Sequence, residues 1–151
     1  MRLAPRRSDG YTIIELLLVM IIIGVIAGIT YVRMAPTLER ARVRGAANIL
    51  SGDLQYAQVM AARQRLPVVI AIDAVALTYQ IADRAGTVFR TRNFGAAGEF
   101  PLTELTATPA SLEVFPNGVA AQGATYTIGA GAYRRQITLS RAGQIRVTIL
   151  P

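Results

Sequence analysis

From Leu16 to Val32 the chain carries no charge; Glu15 stands at the head of this run and Arg33 closes it. Tyr11 to Val32 spans 22 residues, about 33 Å as a helix, against a hydrocarbon core of about 30 Å. Helices buried in water-soluble cores rarely hold so long an unbroken apolar run, so residues 11–33 read as a membrane span. The competing reading is a secretory signal peptide, because Arg2, Arg6 and Arg7 lie in front and Ala27-Gly28 behind. Its apolar region runs about 7–15 residues, shorter than this one. The arginine-rich front also fits a flank retained in the cytoplasm. A carboxylate in a membrane helix costs up to about 2.5–3.5 kcal/mol near the centre and less toward the ends, which makes Glu15 a candidate functional residue. Gly24 and Gly28 supply a small-xxx-small spacing that suits close helix approach and equally suits ordinary membrane-helix composition.

Composition removes most chemistry. The 151 residues include no Cys, His or Lys, which excludes disulfides, thiolate nucleophiles, imidazole bases, the usual zinc and haem ligands, Schiff-base lysines and a phosphate-loop lysine. No catalytic residue, cofactor or metal ligand set is expected. The acids beyond the span (Glu39, Asp53, Asp73, Asp83, Glu99, Glu104 and Glu113) form no catalytic pattern and read as solvated surface acids. All 16 basic residues are arginine, and with 9 acidic residues the formal charge is +7, which favours anionic surfaces such as phosphate backbones or lipid headgroups.

After Arg33 the pattern becomes an amphipathic helix over residues 34–65, with Leu38, Ala46, Ile49, Leu50, Leu54, Ala57, Met60 and Ala61 recurring mostly at steps of three and four. Pro36 is expected to bend it, and Gly45 and Gly52 to loosen it. Arg40, Arg42 and Arg44 crowd its first turns as a solvated face or as contacts to headgroups or neighbouring subunits. Pro67 marks a switch to strands, with candidates at 68–72, 76–81, 87–92, 111–115, 125–128, 136–140 and 144–150. Asp73-Ala74 is expected to close the first hairpin tightly, and Arg141-Ala142-Gly143 closes the most strongly patterned one. A β region of about 85 residues makes a modest core alone, so the apolar stripe should cover one sheet face. The expected fold is α+β: a long N-terminal helix, half membrane-spanning and half amphipathic, packed on a C-terminal antiparallel β-sheet domain at 66–151.

Gly10-Tyr11-Thr12-Ile13-Ile14-Glu15-Leu16 resembles the processing site of the type IV prepilins, with Gly before the cut, an aromatic after it and Glu fifth in the mature chain. The family usually has Phe where Tyr11 stands. Phe115-Pro116-Asn117-Gly118 and the strand pair through Ile137-Thr138-Leu139-Ser140-Arg141-Ala142-Gly143-Gln144-Ile145-Arg146-Val147 resemble, more loosely, the C-terminal pattern of the H-type minor pseudopilins of type II secretion and their type IV pilus relatives. The resemblance implies a pilin-like fold and a leader at residues 1–10, cut by prepilin peptidase between Gly10 and Tyr11. It further implies N-methylation of Tyr11 and a filament-assembly role for Glu15, paired with the α-amine of a neighbouring subunit. Implied partners are other major and minor pilins or pseudopilins, the peptidase, the inner-membrane assembly platform and membrane lipid. The implied location is the bacterial inner membrane, N-terminus cytoplasmic and C-terminal domain periplasmic, with a filament after assembly.

Three functions compete. The first is a non-enzymatic minor pseudopilin at or near the tip of a type II secretion pseudopilus. The second is a minor type IV pilin that binds DNA during natural transformation, with Arg134, Arg135, Arg141 and Arg146 as candidate phosphate contacts. DNA-binding relatives carry Gly-Arg-x-Arg, whereas this chain has Gly143-Gln144-Ile145-Arg146. The third is a membrane-anchored enzyme or binding protein, against which the missing His, Cys and Lys count.

Overall fold

The computed structural model describes residues 11–150 and, within them, every side chain except those of residues 30–33. Helix α1 runs from Ile13 to Gln64 with Pro36 in its interior. Thr12 starts it, its hydroxyl and carbonyl both accepting from the Glu15 amide, as a helix cap does. At the other end Arg65 takes a left-handed φ of 57° and Pro67 follows, so the chain cannot continue as a helix. Two compact units divide between Ala35 and Pro36.

Eight strands follow: β1 (Val68–Asp73), β2 (Thr78–Asp83), β3 (Val88–Asn93), β4 (Glu104–Thr108), β5 (Ser111–Val114), β6 (Ala124–Ala130), β7 (Tyr133–Leu139) and β8 (Ile145–Leu150). They form two four-stranded sheets, ordered β3-β2-β1-β5 and β4-β6-β7-β8, with every pairing antiparallel. The C-terminal hairpin forms as the alternation requires. Ile137 faces Val147 and Leu139 faces Ile145, and Gly143 closes the turn at φ 83°.

Two local expectations fail. The first hairpin closes on four residues, because Asp73 pairs with Thr78. The Asp73 carboxylate accepts from the amides of Val75 and Ala76, and Leu77 takes φ 52° to complete the return. Strand β4 has no counterpart in the sequence pattern. Of its five residues only Leu105 is large and apolar, so no period-two signal arises, and pairing with β6 is what makes it a strand.

One face of α1 joins both sheets in a single core. Val43, Ala46, Ala47, Leu50, Leu54, Ala57 and Ala61 are buried with Ile70, Tyr79, Ile81 and Leu112 of one sheet and Leu105, Tyr126, Ile128, Ile137 and Leu139 of the other. Four of the seven helix positions are alanine, which lets the sheets approach closely. Leu38, counted in the stripe from its spacing, is instead exposed. Gly45 does not merely loosen the helix: a Cβ there would collide with the ring of Phe100, whereas Gly52 faces open space.

Candidate functional site

Three places on the chain carry unusual chemistry: the first half of α1, a buried carboxylate in its second half, and the arginines around β7 and β8.

Every large apolar side chain from Tyr11 to Ile29 is between 46% and 84% exposed. The segment contains an 18-residue window of mean hydropathy 2.8, none of it buried. Soluble proteins rarely leave a contiguous apolar surface of this kind open unless something covers it. Its length and composition suit a membrane, and the same surface suits packing against other apolar helices. Glu15 lies in the first helical turn, where a negative charge is favoured by the helix dipole. Thr12-Ile13-Ile14-Glu15 also has the spacing of a capping box, a local signal that attention to the charge alone overlooks. Tyr11 is exposed just ahead of this turn. Gly10 lies outside the described residues. Among the described residues neither Gly24 nor Gly28 has anything within 4 Å of the position a Cβ would take, so the helix surface there is open to a neighbour.

Asp53 corrects the expectation that the acids beyond the span are solvated. It is buried on the core face of α1 and accepts from the Tyr79 hydroxyl at 2.7 Å, from Arg92 Nε at 3.0 Å and from Arg90 Nη1. Strand pairing builds this cluster: Tyr79 lies opposite Arg92 and Ile81 opposite Arg90, so both arginines sit on the face of the sheet that carries buried Tyr79 and Ile81. The Arg90 guanidinium also stacks 4.0 Å over the Tyr56 ring. Burial pushes the Asp53 carboxyl up, but the hydrogen bonds from Arg92, Tyr79 and Arg90 outweigh it and hold the carboxyl below its ordinary value. The Tyr79 hydroxyl is driven far up by burial and by the adjacent carboxylate, so it remains protonated and donates. The cluster is a hydrogen-bonded polar anchor between helix and sheet, with both Asp53 oxygens engaged.

The four candidate arginines do not converge. Arg134 and Arg135 lie opposite Leu150 and Ile149 at one end of the β7–β8 pair, while Arg146 lies opposite Thr138 near the other end and Arg141 occupies the turn. Alternation divides them again: Arg135 shares the face of buried Ile137 and Leu139, and Arg134 and Arg146 the opposite face. Arg134 Nε donates to Glu104 at 2.7 Å, reaching across Gly129, which pairs with both residues and has no side chain in the way. At the turn, Gly143 has a structural reason to be glycine beyond any phosphate contact. Besides its positive φ, a Cβ would run into the Gly118 carbonyl. The Phe115–Gly118 turn and the β7–β8 turn therefore pack together, tied by a 2.9 Å bond from the Ala120 amide to the Arg141 carbonyl, while Gln58 Nε2 of α1 donates to the Gly143 carbonyl at 2.7 Å. What Arg134 and Arg135 do join is a groove of about 710 Å³ shared with Arg40 and Arg44 of α1, a grouping that no linear spacing announces.

A long helix with an all-round apolar first half and a second half packed on two antiparallel sheets defines a subunit of the type IV pilin class. The type IV minor pilin FimU of Pseudomonas aeruginosa (strain PAO1) has a similar fold. One crystal form matches with TM-score 0.57 at 24% identity over 74% of this chain and 90% of that one; a second matches with TM-score 0.53 at 25% identity over 72% and 92%. The chain belongs to the family of the type II transport protein GspH, whose family model matches residues 46–143. A model of the prokaryotic N-terminal methylation motif matches residues 5–31. A search of curated proteins returns no match. Membership gives the chain the structural role of a minor pilin or pseudopilin, and it implies assembly with other pilins and processing by prepilin peptidase.

Proposed function

We propose that this chain is a non-enzymatic minor pseudopilin, a subunit at or near the tip of a type II secretion pseudopilus. The observation that carries the choice is the match of residues 46–143 to the type II transport protein GspH. In this reading residues 1–10 are a leader, residues 11–33 the membrane and filament-core helix, residues 34–65 the amphipathic helix, and residues 66–151 the periplasmic β-rich domain. Prepilin peptidase cuts between Gly10 and Tyr11 on the cytoplasmic side of the inner membrane, and the new amine of Tyr11 is methylated.

Glu15 then acts in assembly. A carboxylate entering an apolar bundle is tolerable when a cation meets it, and the amine of Tyr11 on an adjacent subunit is the partner proposed. Pairing neutralises both charges at one axial register. Glu15→Ala should be cleaved and inserted normally but fail to enter filaments; incorporation at the native level would remove Glu15 from this role. In the producing bacterium, deletion should stop exoprotein release, restored by the wild-type gene and not by Glu15→Ala.

The likeness to FimU, a type IV minor pilin, favours a second reading in which the subunit serves a type IV pilus, with DNA uptake as its specialised form. Loss of pilus formation or transformation on deletion, with secretion intact, would select it. Double-stranded DNA binding by the full chain, falling steeply with salt, would add the DNA function.

A further inference from the structure

We infer that the groove between the start of the second half of α1 and the β7–β8 edge is a binding site for the headgroup and glycerol region of an anionic phospholipid. Its lining is amphipathic. Arg40 and Arg44 come from the helix and Arg135 from β7, with Arg134 at the margin and turned to Glu104 on the other face of the sheet; Val43, Ile149 and Leu150 are among the apolar groups that complete it.

The cationic side is built and largely uncommitted. The Arg40 guanidinium lies 4.4 Å over the Tyr133 ring, which holds it at the groove wall, and its N–H groups make no salt bridge among the described residues. Arg134 spends one N–H on Glu104; Arg40, Arg44 and Arg135 form no salt bridge among the described residues. The acids facing this region are Glu104, engaged by Arg134, and Glu39, which packs over Gly131. The balance stays positive. Guanidinium forks match phosphate oxygens two bonds at a time and are weakly hydrated, so they bind phosphate next to apolar surface where an ammonium would not.

The apolar side separates a lipid from a bare anion or a nucleic-acid backbone. Ile149 is 69% exposed although it stands on the core-side face of β8, opposite Arg135. A volume of about 710 Å³ falls in the range of roughly 300–1,000 Å³ typical of small-molecule sites, larger than a lone phosphate needs. A phosphodiester backbone would satisfy the arginines and leave Ile149 and Leu150 in water; a glycerophospholipid satisfies both walls. Basic clusters that follow membrane segments in sequence attract anionic headgroups.

The test uses the full chain in dodecyl maltoside, with lipid retention read by native mass spectrometry against added phosphatidylglycerol or phosphatidylcholine. Phosphatidylglycerol should be retained at least tenfold better. Arg40→Gln/Arg44→Gln/Arg135→Gln should lose that preference, while Arg63→Gln/Arg141→Gln/Arg146→Gln, which removes equal charge elsewhere, should change it less than twofold. Ile149 is exposed, so Ile149→Asp should keep the wild-type melting temperature and weaken retention about tenfold, which separates groove loss from misfolding. Equal retention of the two lipids, equal loss in both triple variants, or full displacement by inorganic phosphate or a double-stranded oligonucleotide would each overturn the assignment.

Discussion

The two halves of α1 are both rich in apolar residues, yet they solve opposite problems. From Tyr11 to Ile29 the apolar side chains point all round and every large one is exposed; from Val43 to Ala61 most keep to one face and are buried or half-buried, with Val59 the exposed exception. A stripe can be satisfied by two sheets of the same chain, whereas a fully apolar cylinder requires a medium or a set of like helices. The difference shows where the chain's self-sufficiency ends. The second half is a folding element; the first, among the described residues, leaves its apolar surface open.

That contrast can be broken most severely at Leu54. Leu54→Ala should cost about 2–5 kcal/mol by loss of burial plus the cavity left behind, read as a lowered melting temperature of the full chain in detergent, while Leu17→Ala leaves the same transition unmoved. Melting of the Leu17 variant together with the body would mean that the halves are not independent. The two carboxylates give the next test. Asp53→Asn strips the charge partner from Arg90 and Arg92 and should cost about 2–3 kcal/mol, below the usual figure for breaking a buried pair because both arginines are about a third exposed. Glu15→Gln should leave body stability unchanged and act only on assembly.

The Asp53 comparison extends to pH. Its folded pKa lies below the ordinary 3.8, so its contribution is complete above that value and is lost as pH falls through the folded one. Acid unfolding of Asp53→Asn should therefore show a shallower loss of stability below about pH 4 than the wild type. Between the glycines, Gly45→Ala meets Phe100 and should cost about 1 kcal/mol, the clash exceeding the gain in helix propensity; Gly28→Ala should leave the body's melting unchanged. The smallest effect is expected at Tyr126, whose buried hydroxyl has no hydrogen-bond partner among the described residues. Tyr126→Phe should be neutral or stabilise by up to about 1 kcal/mol, whereas Tyr79→Phe, which takes a donor from Asp53, should cost about 1–2 kcal/mol.

Much of this architecture is written locally. The uncharged run, the stripe at three- and four-residue steps, the switch at Pro67 and the alternation around Arg141–Gly143 each act over a few neighbouring residues. Seven of the eight strands coincide with such signals. What stays illegible depends on partners distant in sequence. Strand β4 exists because β6 pairs with it, and the Asp53 anchor needs arginines 37 and 39 residues away. The groove takes two arginines from a helix and two from a strand nearly a hundred residues later. Asp53 did leave a trace: its spacing from Leu50, Ala46 and Ala57 puts it on the buried face, and a carboxylate there demands a cation. Arg90 and Arg92, two apart on one strand, could have supplied it.

The bond from Gln58 to the Gly143 carbonyl joins positions 85 residues apart, and with it comes an order of events. The helix stripe is made early in synthesis, but the strands that complete its cover, β6 to β8, are the last to be made. Until they arrive, Leu50, Leu54 and their alanine neighbours lack a large part of their packing. The last thirty or so residues thus decide when the body becomes a body. A nascent chain stalled short of Gly143 would present two unsatisfied apolar surfaces where the finished protein presents one.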